Sequence, residues 1–253
     1  MILHINQPLH FSGVLPFLIE VAYLSGKTLL TPDEHKCSIR SQGNPGERTV
    51  ESLNPTQRRI HQAAFRLFAE RGTSQVNILD LAQEAGVARG TVYSNIDSME
   101  SLFEAVASHL AREMHERVNK SFNSLSDPAQ RLANGIRFFI RRAHEDSQWG
   151  AFIHKFAMSN SSLREMFSSQ ATTDLLGGLS TGRYTFAQEQ LLSVLTLISS
   201  SVLGSIFLVL EGHRTWRESG SDTAELVLRA LGVSPEEARA LATKELPALP
   251  SLD

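Results

Sequence analysis

The sequence lacks the features that define several common protein classes. A single cysteine, Cys37, occurs in 253 residues, so an internal disulfide is impossible and a secreted, disulfide-stapled scaffold is excluded. Sixteen glycines and nine prolines are ordinary amounts, which excludes collagen-like and proline-rich chains. The formal net charge is −3, so any contact with nucleic acid must come from a local surface rather than from bulk charge. An apolar content of 42% excludes wholesale disorder.

Signatures of catalysis and metal binding are also missing from the sequence. The segment 177–182 (GGLSTG) lacks the Lys-Ser/Thr pair of a phosphate-binding loop and is interpreted as an ordinary loop. There is no GxSxG nucleophile motif. His109 and His115 do not have the i, i+4 spacing of two metal ligands on one helical face, and Cys37 has no identifiable base. We therefore expect no enzymatic activity, no cofactor and no metal site.

One apolar segment is long enough to cross a bilayer. Residues 191–210 (LLSVLTLISSSVLGSIFLVL) carry no charge, but six of these 20 residues are Ser or Thr, which a lone span would expose to lipid. A helix buried among other protein helices is the favoured interpretation. The apolar stretch 11–24 has no basic residue ahead of it and contains Glu20, so we predict no secretory signal. A cytoplasmic protein without a membrane partner is expected.

Helical periodicity dominates the rest of the chain and predicts an all-α protein, because alternating strand-like runs are missing. Residues 1–53 show no sustained period and end in a Gly/Pro/Asn cluster, which predicts a poorly ordered N-terminal extension. We expect one domain at 54–114, a second at 115–246 and a tail at 247–253.

The first domain shows three helical segments in close succession. Gly72 is expected to end the first, Asn77 to cap the second, and Gly86 to end the second after about two turns. A third short helix is predicted from about Arg89 to Asn95. Two short helices joined by a glycine-containing turn describe a helix-turn-helix motif at 77–96, although spacing alone favours an ordinary helical hairpin equally.

The residues of this region resemble those of a known family. FRLFAERG (65–72), ILDLAQEAGVARGTVYSNI (78–96) and SMESLFEAV (98–106) resemble the DNA-binding domain of TetR-type (tetracycline-repressor-like) regulators. The resemblance implies an N-terminal three-helix helix-turn-helix domain and a larger C-terminal helical domain for ligand binding and dimerisation. It implies a homodimeric transcription regulator, usually a repressor that a small molecule releases from its operator. The alternative is an all-helical protein-interaction or membrane-tethered module that does not bind DNA.

The third helix carries the side chains expected to meet double-stranded operator DNA. Val92 and Ile96 are predicted to face inward, which leaves the polar side of the helix for the major groove. Arginine can bind guanine through two paired hydrogen bonds, and asparagine can bind adenine in the same way. Hydroxyl groups and the backbone amides at the start of a helix can bind phosphates. The candidate DNA-binding residues are Asn77, Arg89, Gly90, Thr91, Tyr93, Ser94 and Asn95.

Two positions depart from the family pattern. Ala88 stands where Ser commonly precedes the third helix, and Met99 stands where Lys commonly meets a phosphate. Residues 54–114 hold six Arg and no Lys against seven acidic residues. We therefore expect few phosphate contacts and a shallow dependence of DNA affinity on salt.

The second domain is predicted to contain helices at 127–145, 150–158, 163–176, 185–211, 222–231 and 234–246. Small residues recur along 185–211 at Ser193, Thr196, Ser200 and Gly204, which lets another helix approach closely. In the resembled family two long C-terminal helices form the dimer interface, so we assign the homodimer contact to 185–211 and 222–231.

An aromatic-rich segment suggests a largely apolar pocket for an unidentified small-molecule effector. For any one of these residues, simple core packing remains the stronger interpretation. Trp149 follows a polar break and is expected near a pocket mouth. The candidate ligand-binding residues are Phe139, His144, Trp149, Phe152, His154 and Phe156.

Overall fold

The structure is a computed structural model that describes residues 53–122 and 125–252. Within these ranges the regular structure is entirely helical, which confirms the predicted fold class. Nearly all of the expected N-terminal extension lies outside the described residues. The α-helices are α1 (Pro55–Arg71), α2 (Ile78–Ala85), α3 (Arg89–Tyr93), α4 (Met99–Ser121), α5 (Pro128–Glu145), α6 (Ser147–Phe156), α7 (Ser161–Ser180), α8 (Leu191–Leu210), α9 (Trp216–Ala230) and α10 (Pro235–Thr243).

Local sequence signals set the ends of the first helices. The side chain of Asn77 accepts hydrogen bonds from the amides of Leu79 at 2.8 Å and Asp80 at 3.1 Å, as predicted for the start of α2. Gly86 ends α2 in the left-handed conformation, with φ 63° and ψ 43°. Gly72 also has a positive φ of 84°, but its ψ of 164° is extended rather than left-handed helical. The chain therefore leaves α1 at an angle and enters a short 3₁₀ turn at Thr73–Gln75.

Several predicted boundaries in the second domain are wrong. α8 begins at Leu191 rather than at 185, because the preceding residues form a loop and a 3₁₀ turn at Gln188–Gln190. α9 begins at Trp216 rather than at 222, because Thr215 and Glu218 form a capping box. α10 ends at Thr243 rather than at 246.

The glycine-rich segment 177–182 is not simply a loop, since its first four residues complete α7. Gly178 packs directly against the ring of Tyr184, and a Cβ at this position would overlap that ring. The glycine here serves close packing rather than a turn.

α4 belongs to both domains. Its N-terminal half buries Leu102 and Val106, and the helix packs on α1 of the first domain. Its C-terminal half buries Met114 and Val118, and the helix also packs on α7 of the second domain. The boundary predicted at residue 114 therefore falls inside a continuous helix.

Aromatic side chains join the two domains beside α4. Phe103 of α4 contacts Phe68 of α1 and Phe156 of α6, with ring centroids 5.6 Å and 4.9 Å apart. Lys155 of α6 donates to the carbonyl of Ala69 at 2.8 Å and to that of Glu70 at 3.2 Å, near the C-terminal end of α1. The orientation of the first domain is thus fixed by both apolar and polar contacts.

α8 is not surrounded by helices as predicted. One face packs on α5, α6, α7 and α9, but the opposite face is exposed. The helix from Gln188 to Leu210 is long and apolar enough to span a membrane, and only 39% of its most apolar window is buried. The sequence of α8 is uncharged because both of its faces are apolar. Other helices of the same chain cover only one of them.

Candidate nucleic-acid interface and ligand cavity

α3 presents its polar side to solvent. Val92 is fully buried and anchors the helix on α2, while Arg89, Gly90 and Ser94 are exposed and 61% of Tyr93 is accessible. Thr91 and Asn95 are half-buried. The helix has five residues and is shorter than the predicted 89–95. Because Val92 occupies the core, the outward direction of Arg89 and Tyr93 is fixed.

The side chains at the end of α3 are hydrogen-bonded within the chain. The hydroxyl of Ser94 donates to the carbonyl of Thr91 at 3.0 Å, and the amide of Asn95 donates to the same carbonyl at 2.7 Å. The Asn95 amide has two N–H donors, and it also donates to the Ser94 hydroxyl at 3.3 Å, so a paired contact with adenine requires one of these two bonds to break. Arg89 has no hydrogen bond or ion pair within the described ranges, so its guanidinium is available for a base.

The start of α2 has fewer available amides than the sequence suggested. The Asn77 side chain already accepts from two of them, and Asp80 accepts from the Asn77 amide at 3.2 Å. A phosphate at this end would also approach the carboxylate of Asp80. This geometry leaves less attraction for a phosphate than an uncapped helix start would provide.

Three of the six arginines of the first domain have partners within the chain. Arg66 pairs with Glu84 at 2.7 Å, and Arg59 donates to the carbonyl of Gly86 at 2.8 Å. Arg71 lies 3.6 Å from Asp80. Among the residues that the structure describes, carboxylates therefore neutralise two of the six arginines, and the first domain has no lysine to add positive charge.

A small cavity of about 40 Å³ lies in the second domain. It is enclosed by α4, α5, α7 and α8, so it contacts the helix that both domains share. Its lining is mostly apolar, with polar groups from α4, α5 and α7. The lining residues are His115, Val118, Phe122, Arg131, Leu132, Gly135, Ile136, Phe139, Met166, Phe167, Gln170, Ala171, Asp174, Ile198 and Val202.

Of the six predicted ligand-binding residues, Phe139 alone lines this cavity. Trp149 is only 1% exposed, so it does not stand at a pocket mouth, and Phe152 and Phe156 pack against Phe103. Phe152 and Phe156 thus belong to the domain junction, whereas Trp149 packs on Phe139 with ring centroids 6.1 Å apart. The two remaining candidates, His144 and His154, are exposed, and His154 stacks on Phe207 with ring centroids 5.5 Å apart.

The polar residues of the cavity were missed in the sequence. Asp174 is 4% exposed, and its Oδ1 lies 2.9 Å from Nε of Arg131. Burial raises the pKa of the Asp174 carboxyl to about 6, although Arg131 and the hydrogen bond from Gln170 act in the opposite direction. A Gln and an Asp one helical turn apart, at 170 and 174, were the available signal.

The exposed face of α8 is apolar and continuous along the helix. Small residues Ser193, Thr196, Ser200 and Gly204 are all exposed on it, together with larger apolar side chains. Leu226 of α9, which packs beside α8, is 62% exposed. The large exposed apolar residues of α8 are Leu192, Leu197, Phe207 and Leu208.

Comparison with known proteins agrees with this architecture. The family model for bacterial regulatory proteins of the tetR family matches residues 60–106, and the tetracyclin repressor-like C-terminal domain matches residues 127–244. The crystal structure of RolR in complex with resorcinol superposes with a TM-score of 0.61 at 30% identity, covering 77% of this chain and 96% of RolR. The chain belongs to the tetR family of bacterial regulatory proteins. Its helix-turn-helix domain and larger helical domain are those of the family.

Other tetR-type relatives match over shorter stretches or at lower identity. The transcriptional regulator TtgR of Pseudomonas putida is 32% identical over 77 residues, which cover 30% of this chain and 36% of TtgR. An uncharacterised HTH-type regulator of Mycobacterium tuberculosis is 29% identical over 94 residues, covering 37% of this chain and 46% of that protein. The match thus spans less than half the length of these curated relatives. FadR of Bacillus subtilis, solved with stearoyl-CoA, has a TM-score of 0.58 at 18% identity and shares the fold alone.

Proposed function

We propose that the chain is a cytoplasmic, sequence-specific DNA-binding transcription regulator, a repressor that a small molecule releases from its operator. The observation that carries this proposal is the orientation of α3, in which buried Val92 forces Arg89 and Tyr93 outward. A helix held in this way can enter the major groove with its exposed side chains at the base edges. Family membership supports the same role.

The proposal includes a homodimer formed through the exposed face of α8 and the neighbouring part of α9. Two recognition helices must reach half-sites about 34–36 Å apart or at a multiple of this spacing. A contiguous apolar face on a soluble protein is a typical interaction surface, and its small residues permit close contact between two copies. Solubility without detergent is expected once this face is paired.

The effector is proposed to bind in the cavity beside α4. Because α4 also packs on α1, a ligand that displaces α4 would move the first domain. The distance between α3 and the α3 helix of the other subunit would then change. The cavity is smaller than one aromatic ring, so an effector of that size must displace the side chains that line it, including those of α4. Resorcinol, the ligand in the RolR complex, is the first compound to test.

Selection of bound fragments from genomic DNA tests the proposal directly. Fragments recovered with the full chain should share a two-fold-symmetric site, and the Arg89→Ala variant should bind that site about 10- to 100-fold more weakly, since a paired arginine–guanine contact contributes about 1–3 kcal/mol. Tyr93→Phe should weaken binding to all sequences alike, because it removes a phosphate contact.

The matched control is Arg239→Ala, which removes an exposed arginine from α10 in the second domain. This variant should bind the selected site as the unaltered chain does. Absence of any enriched fragment, or equal losses in the Arg89 and Arg239 variants, would contradict the proposal.

A further inference from the structure

The cavity in the second domain has one polar end in an otherwise apolar wall. Phe139 and Phe167 stack on each other at this wall, with centroids 4.5 Å apart and an interplanar angle of 27°. Leu132, Met166 and Ile198 add further apolar surface. Flat, closely spaced rings of this kind provide a face for another flat ring.

Asp174 lies at the polar end and is only 4% exposed. Both of its recorded contacts are made by the same oxygen, since Oδ1 lies 2.9 Å from Nε of Arg131 and accepts from Nε2 of Gln170 at 3.2 Å. Within the described parts of the chain, Oδ2 accepts no hydrogen bond. Asp174 lines the cavity and Oδ2 is not sealed in the interior, so this oxygen is an available acceptor for a ligand.

The charges around this oxygen restrict what can bind to it. Arg131 neutralises Asp174, so a cationic ligand would face the guanidinium and an anionic ligand would face the carboxylate. The His115 side chain on the cavity wall is already engaged, because Nε2 lies 2.8 Å from the Asn119 amide and Nδ1 lies 3.2 Å from the Ser169 hydroxyl. A neutral hydrogen-bond donor fits this environment best.

We infer that the effector is a small, neutral, single-ring aromatic compound of the phenol class, whose hydroxyl donates a hydrogen bond to Oδ2 of Asp174. Its ring lies against Phe139 and Phe167. A single aromatic ring is larger than the present cavity of about 40 Å³, so binding of the ring requires the lining side chains to move apart, and a larger ligand is disfavoured. This inference deepens the proposed function and rests on it.

Phenol and toluene are matched probes, because they differ only in a hydroxyl and a methyl group. Calorimetric titration of the full chain should give at least about tenfold tighter binding of phenol than of toluene, since a hydrogen bond to a charged group contributes about 1.5–3 kcal/mol. Benzoate should bind more weakly than phenol, because its carboxylate would lie near that of Asp174.

The decisive variant is Asp174→Asn. Nε2 of Gln170 donates to Oδ1 and the positively charged Arg131 lies 2.9 Å from it, so the amide oxygen of Asn is favoured at that position and its NH₂ group replaces Oδ2. The charged acceptor for phenol is lost and the neutral NH₂ group can only donate to the phenol oxygen, so the phenol-to-toluene preference should fall at least about threefold. Asp222→Asn, an exposed aspartate paired with Arg214, is the matched control and should keep the full preference.

Ala171→Leu provides a second variant that does not depend on Asp174. Ala171 lines the cavity, and the larger side chain should abolish binding of both probes while leaving the helical circular dichroism spectrum unchanged. Equal affinities of phenol and toluene for the unaltered chain, or an unchanged preference in Asp174→Asn, would overturn the inference. If phenol binds as expected but leaves the DNA affinity unchanged, the ligand class stands and the proposed regulation fails.

Discussion

No side chain caps the start of α3, because residue 88 is Ala, and its neighbouring amides rely on the backbone carbonyl alone. The amide of Thr91 bonds to the Ala88 carbonyl at 2.9 Å. We expect Ala88→Ser to supply the missing acceptor and to raise the free energy of unfolding of the first domain by about 0.5–2 kcal/mol. Urea denaturation of the full chain would measure this change. A loss of stability would show that a hydroxyl cannot reach the amides at this turn.

The buried carboxyl of Asp174 predicts a pH-dependent stability. Because burial raises its pKa from 3.8 to about 6, the folded state holds the proton more tightly than the unfolded state does. The resulting stabilisation is complete below about pH 4 and is lost as the pH rises through about 6. It amounts to about 3 kcal/mol.

Asp174→Asn removes this titration. The variant should therefore gain about 3 kcal/mol in unfolding free energy relative to the unaltered chain between about pH 4 and pH 7. Urea denaturation of both proteins at several pH values would measure the difference between their unfolding free energies. The contributions of the other titrating groups are the same in both proteins and cancel in this difference. A difference that stays constant over this range would show that the Asp174 carboxyl titrates normally.

At the residue scale the sequence predicted the α3 surface well and the cavity badly. The period of α3 and its buried Val92 determine which side faces outward, so Arg89 and Tyr93 could be identified locally. The cavity depends on how four helices meet, and Asp174, Arg131 and His115 are distant in sequence. The aromatic run of α6 was misleading because its rings contact α1 and α4 rather than the cavity.

At the element scale α8 has an apolar face that the chain does not cover. We expect Leu197→Arg, at a position that is 46% exposed, to convert a dimer into a monomer because a charge would be buried without a partner in the interface. Sedimentation velocity would measure the oligomeric state. Binding to a two-fold-symmetric site should weaken by at least about 100-fold, since only one recognition helix would remain per molecule.

The control for this variant is Met158→Arg. Met158 is 55% exposed and lies beyond the end of α6, outside α8 and α9. Its substitution should leave both the dimer and its DNA affinity intact. If Leu197→Arg also remains dimeric, the interface must lie elsewhere.

The helices themselves were largely predictable, but their ends and neighbours were not. Asn77 is a cap that the sequence identified and the structure confirms, and Ser234 caps α10 where the sequence placed the start of that helix. Thr215 was overlooked, and α9 accordingly starts earlier than predicted. The partial exposure of α8 was missed because the sequence of an uncharged helix looks the same in two cases: when its second face packs on its own chain and when that face packs on another copy of the chain.

At the scale of the whole molecule the scarcity of free positive charge governs DNA binding. Each phosphate contact contributes about −0.9 to the slope of log affinity against log salt concentration. We expect a shallow slope for this protein, and Met99→Lys at the start of α4 should steepen it by about 1.8, through one added contact in each subunit of the proposed dimer. Fluorescence anisotropy with the selected operator at several salt concentrations would measure both slopes.

Met158→Lys adds the same charge to the second domain and should leave the slope unchanged. If both lysine variants steepen the slope equally, the effect comes from net charge and not from a contact at residue 99.

The continuity of α4 has a consequence for hybrid regulators. A hybrid protein that joins this DNA-binding domain to the ligand-binding domain of another protein at residue 114 would join two halves of one continuous helix. Each residue inserted or deleted at the junction would rotate the ligand-binding domain by about 100° about the helix axis. A junction before Ser98 would keep the whole of α4 and the native ligand-binding domain. The new DNA-binding domain would then have to restore the contacts that Phe103 and Lys155 make with α1. Exchange of the DNA-binding domain in this protein therefore depends on matching the surface of the new domain to α4 and α6.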